Sequence, residues 1–82
     1  MHQYDARKIH QTFSESFRYH RRRLGMTHRE ICKACGLSDS LTGKWERGAC
    51  YPHLFALVAV ADYMGLSIDE LVGIERRDAD GN

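Results

Sequence analysis

The sequence predicts an all-α domain of five short helices. Three observations carry this. Gly25, Gly36, Gly48, Gly65 and Gly73 each close a segment of helical apolar spacing, as residues that accept the left-handed conformation past a helix end do. Thr12-Phe13-Ser14-Glu15, Thr27-His28-Arg29-Glu30 and Ser67-Ile68-Asp69-Glu70 each fit the box in which a hydroxyl and a Glu reciprocally satisfy free N–H groups at a helix start. No alternating strand pattern occurs anywhere in the sequence.

The spacing places helices over about 13–24, 28–35, 39–47, 53–64 and 68–72. Phe13, Phe17, His20 and Leu24 share one face of the first, and Ile9 continues that stripe backward, so this helix can begin as early as Asp5. His20 is expected as a half-buried neutral histidine. The second helix begins at the Thr27 box, and the third at Ser38, a cap without a Glu partner. Leu37, Leu41 and Trp45 form the inward stripe of the third, leaving 39, 40, 43, 44 and 47 outside. Pro52 precedes the fourth, whose inward face is expected to be Leu54, Leu57, Val58, Ala61 and Met64. The expected organisation is an extension over 1–12, a domain over 13–73 and a polar tail over 74–82.

At 82 residues the chain has room for one small domain, and 43% hydrophobic content allows it a modest core. The longest apolar run, Leu54 to Ala61, is far short of the ~20 residues that a membrane helix needs. The first eight residues lack the apolar stretch of a secretory signal, and three cysteines, an odd number, suit a reducing compartment. A cytoplasmic protein is expected, with no membrane partner. Charge is uneven: residues 1–50 hold ten Lys/Arg against five Asp/Glu, and residues 51–82 hold two against six. The basic half points to a polyanion partner.

The second and third helices are joined by Cys35-Gly36-Leu37-Ser38, a tight link that makes a helix-turn-helix, whose second helix can enter a DNA major groove. The wider order is Gly25-Met26-Thr27, Glu30-Ile31, Gly36-Leu37-Ser38, Trp45-Glu46-Arg47-Gly48, Pro52 and Gly65-Leu66-Ser67-Ile68-Asp69-Glu70-Leu71-Val72-Gly73. It resembles the lambda-repressor-like (XRE/Cro-type) helix-turn-helix family from about Phe13 to Gly73. The resemblance implies a bacterial or phage DNA-binding transcriptional regulator, a repressor, whose partner is double-stranded DNA. It places Asp39, Ser40 and Lys44 against base edges, where Lys44 suits guanine O6/N7 and Asp39 suits cytosine N4. It places Thr27, His28 and Arg47 on phosphates, and pairs Arg21 with Glu46 to hold the third helix against the first.

The chain departs from the family pattern in places. His28 stands where Gln is frequent, Gly43 lies inside the third helix, Thr42 replaces an aliphatic residue, and the loop Ala49-Cys50-Tyr51 carries no Lys or Arg. Phe55, Ala59 and Tyr63 add a second apolar stripe to the fourth helix, expected either to form a homodimer or to be covered by the N-terminal segment around Tyr4 and Ile9. The rival reading is a protein-interaction module on the same fold, with weak or lost DNA binding. Cys32-x-x-Cys35 and Cys50-x-x-His53 have the spacing of a zinc set. However, the first pair falls within a predicted helix, where free cysteine packs as a small hydrophobe. Neither metal nor other cofactor is expected. Nor are a small-molecule substrate and enzymatic activity, since no nucleophile, base and orienting acid converge.

Overall fold

Trp45 sits at the centre of the molecule. Its side chain is fully buried, with its ring 5.6 Å from that of Phe13 and 5.5 Å from that of Phe17, the latter contact edge-on, as aromatic quadrupoles favour. The computed structural model describes residues 5–74. Around the aromatic trio it sets α1 (Ala6–Leu24), α2 (His28–Cys35), α3 (Leu41–Glu46), α4 (Leu54–Met64) and α5 (Ile68–Val72). No strand occurs among the described residues. α1 packs across α3 and α5, and α2 packs against α3 and α4. Ile31, Ala56, Val60, Ala61 and Leu71 complete the core.

The helix starts follow from local chemistry. Both hydrogen bonds of the capping box form at Thr27 and Glu30, and again at Ser67 and Glu70. The box at Thr12 is not used as a start. Asp5 caps α1 instead, accepting from the Arg7 N–H at 2.9 Å, and the stripe Ile9-Phe13-Phe17 carries the helix straight through residue 12. Residues 6–12 of the expected extension are thus the first turns of α1. Tyr4, and the expected tail beyond Ile74, lie outside the described residues.

Two expected faces are corrected. The third helix is shorter than 39–47: the Ser38 carbonyl accepts from the Leu41 N–H at 3.0 Å, closing a turn that takes up Asp39 and Ser40. Ser40, with no side-chain capping bond, becomes the N-cap. Within α3, Thr42, Gly43 and Trp45 are buried, whereas Leu37 and Leu41 only flank the core. Gly43, expected outside, lies under the side chains of His28 and Arg47.

The inner face of α4 is Ala56, Val60 and Ala61, flanked by Leu57 and Met64. Leu54 and Val58, expected inside, are 75% and 49% exposed. Small residues on the buried side let α4 approach the core closely, and the helical period then carries the larger ones outward. Leu24 likewise points to solvent, and His20 is half-buried.

Candidate nucleic-acid interface

α3 has fewer than two turns and cannot persist alone. Its neighbours hold it in three places. The Ser14 hydroxyl, on α1, donates to the Trp45 carbonyl at 2.6 Å. Glu46, its side chain only 8% exposed, receives Arg21 Nε at 2.9 Å and Arg18 Nε at 3.3 Å. Arg21 also donates from Nη1 to the Met26 carbonyl at 2.8 Å, so one guanidinium ties α1, the α1–α2 connection and α3 together. The family resemblance does not single out Arg18. Its position three residues before Arg21, on the same helical face, is the sequence signal that points to it.

The third hold is a relay between α2 and α3. His28 Nε2 lies 3.4 Å from Glu46 Oε1, Nδ1 lies 2.9 Å from the Thr42 hydroxyl, and Cys32 Sγ lies 3.3 Å from the same hydroxyl. Glu46 can only accept, which puts the imidazole proton on Nε2. Thr42 then donates to Nδ1, and the Cys32 thiol donates to Thr42. Two departures from the family pattern, His28 and Thr42, are therefore bonded to one another.

Burial pushes the His28 pKa below its ordinary 6.5, and the Arg21 and Arg47 charges push the same way against the opposing pull of Glu46. Burial would raise the Glu46 carboxyl, but the hydrogen bond from Arg21, the charges of His28 and Arg21 and the hydrogen bond from Arg18 outweigh it and hold the group below its ordinary value.

With its inner side so fixed, the α2–α3 unit turns a polar side outward. Asp39 and Ser40 are exposed in the turn before α3, and Lys44 and Arg47 are exposed along and just after it. Asp39 lies 3.8 Å from Arg29 on α2, both well solvated, a pair that contributes little to stability but balances the carboxylate charge on this surface. Thr27 accepts from the Glu30 N–H as a cap, leaving its hydroxyl proton to donate outward. His28 is different. With both ring nitrogens turned to Glu46 and Thr42, its side chain does not offer the phosphate bond that the resemblance implies, and its backbone N–H in the first turn of α2 is what remains.

Two helices meeting at the left-handed Gly36, the second pinned from beneath and polar above, are the geometry of a groove-reading pair. A family model described as a helix-turn-helix domain matches residues 12–72, most of the chain. The chain belongs to the helix-turn-helix domain family. Neither a curated protein nor a solved structure matches it.

Elsewhere on this helix-turn-helix domain, the expected stripe on α4 is redistributed. Phe55 is 64% exposed and is joined by Leu54 and Val58. Ala59 is half-buried, its carbonyl accepting from the Cys35 thiol at 3.9 Å. Tyr63 is exposed but directs its phenol to Met26 Sδ at 3.7 Å. Cys32 and Cys35 both lie in α2, while His53 caps α4 by accepting from the Ala56 N–H at 3.2 Å. Among the described residues no three His, Cys, Asp or Glu side chains gather as metal ligands, and no helix is long and apolar enough to cross a membrane.

Proposed function

We propose that the protein is a sequence-specific transcriptional regulator, a repressor, that inserts α3 and the turn before it into the major groove of double-stranded DNA. The observation that carries this is the outward, solvated side formed by Asp39, Ser40, Lys44 and Arg47 above an inner side occupied by Trp45, Thr42 and Glu46. Asp39 and Ser40 stand at the N-terminal end of α3, the end that reaches base edges in this mode of docking. Lys44 supplies a cation for guanine, and Arg47 and Thr27 supply phosphate donors. The protein acts without a cofactor in the cytoplasm, at the nucleoid.

A homodimer fits this role, because two readers one helical turn apart share a palindromic site. The exposed Leu54, Phe55 and Val58, with Tyr63 beside them, support α4 as its contact. The same apolar face is what favours the second reading, a protein-interaction module.

Binding to genomic DNA fragments at two salt concentrations separates the two. Lys44→Ala should lose about 1–3 kcal/mol of discrimination at one base position. Arg47→Ala should weaken all sequences alike and flatten the salt dependence. Indifference to both substitutions would leave the interaction module.

A further inference from the structure

We propose that the groove between the first turns of α1 and the α3–α4 connection seats a DNA backbone phosphate, with Arg7 and Arg18 of α1 joining Arg47 as its donors. The inference rests on the DNA-reading role and enlarges its footprint. The groove has a volume of about 530 Å³, and its lining includes Arg7, Arg18, Arg47, His10, Glu15 and Tyr51. Arg47 places it beside the reading surface: its Nη1 lies 3.5 Å from where a Cβ on Gly43 would be, and the His28 ring lies 3.7 Å from that same point. A phosphate leaving the start of α2 along the DNA backbone would therefore meet Arg47 and then the groove.

The far wall is held in place by packing. The Tyr51 hydroxyl donates to the Ala6 carbonyl at 3.1 Å, and its ring lies on His10 with centroids 4.1 Å apart, closely enough that His10 Nε2 is shut off from solvent. This latch fixes the backbone that carries Arg7 relative to the connection that follows Arg47. Glu46 is paired with Arg21 as well as Arg18. Glu15, which accepts from Gln11 Nε2 at 3.3 Å, keeps its charge, and the three guanidiniums of the lining outnumber it.

The arrangement also fills a gap in the sequence. The loop Ala49-Cys50-Tyr51 has no cation of its own, and Arg7 and Arg18, more than thirty positions earlier in the chain, bring two to its side.

The test is the salt dependence of binding by the full chain to a mixed-sequence 20-base-pair duplex. Removing one phosphate donor should lower the slope of log affinity against log salt by about 0.9. Arg7→Ala should show a decrease of that size while Arg7→Lys retains the slope, and Arg23→Ala, whose side chain lies outside the groove, should match wild type. Arg7 is exposed, so an unchanged melting temperature shows that the fold is intact; Arg18 is left alone because it also holds Glu46. If Arg7→Ala keeps the wild-type slope while Arg47→Ala lowers it, the groove proposal is overturned and the DNA-reading role stands. If the wild-type chain does not bind the duplex even at low salt, both are overturned.

Discussion

α3 and α4 solve opposite problems with the same kind of element. α3 is six residues long and has no side-chain cap, yet it buries Trp45, Thr42 and Gly43 and is tied down at Trp45, Glu46 and Thr42 by Ser14, Arg21, His28 and Cys32. α4 is eleven residues long, is capped by His53, and buries only Ala56, Val60 and Ala61. Its bulk, Leu54, Phe55 and Val58, faces solvent. A helix that must present a fixed polar side needs its orientation set from beneath, and small size is then no handicap. A helix buried through small residues is set by close approach, and its outer side is left for other contacts.

The contrast can be broken most directly by truncating one anchor on each helix. Trp45→Ala should cost about 3–5 kcal/mol, whereas Leu54→Ala, at 75% exposure, should change stability by no more than about 0.5 kcal/mol. Urea unfolding of the two variants is the check, and similar losses would mean that α4 is covered in solution. A smaller effect sharpens the picture of α3. Gly43 is helical, and an added Cβ would meet only ordinary contacts, at 3.5 Å from Arg47 and 3.7 Å from His28. Gly43→Ala should therefore gain up to about 1 kcal/mol by thermal unfolding.

The subtlest effect is the pH response of the relay. The His28 pKa is lower in the folded chain than its ordinary 6.5. As pH falls below about 7, the unfolded chain takes up this proton first and stability declines, until pH has passed the native value. Protonated Nδ1 would also have to donate to Thr42, displacing the present bond. The Glu46 carboxyl, held below its ordinary 4.5, contributes stability that is intact above that pH and is lost only further into acid. His28→Gln should flatten the upper of these two windows in melting temperatures measured from pH 7.5 to 3 and leave the lower one in place.

Where the chain carries one unambiguous signal, the sequence reads correctly. α2 and α5 begin at complete capping boxes and stop at Gly36 and Gly73. Where two signals compete it leaves the choice open: Asp5 and Thr12 both invite a helix start, and the apolar stripe decides for Asp5. A helix apolar on nearly every side, such as α4, holds no direction in its pattern, so its buried face is chosen by how closely its neighbours approach. The face of α3 is likewise set by tertiary contacts too distant in sequence to leave a periodic trace.

The surface residues Lys44 and Arg47 stand out as charges beside a tight turn. Arg7 and Arg18 do not, because their sharing one groove with Arg47 depends on where α1 lies over the α3–α4 connection. The His28–Thr42 bond is hidden for a related reason. Each residue looks like an isolated departure, and only the fold brings the two together.

The pinning of α3 from α1 has a consequence for timing. Ser14 and Trp45 are 31 positions apart, and six residues cannot nucleate a helix by themselves. On the ribosome, α1 emerges before the element it must steady, and a nascent or truncated chain lacking either partner has no ordered α3 to present. The helix-turn-helix surface should therefore appear in one step, on completion of the fold, rather than build up along the growing chain.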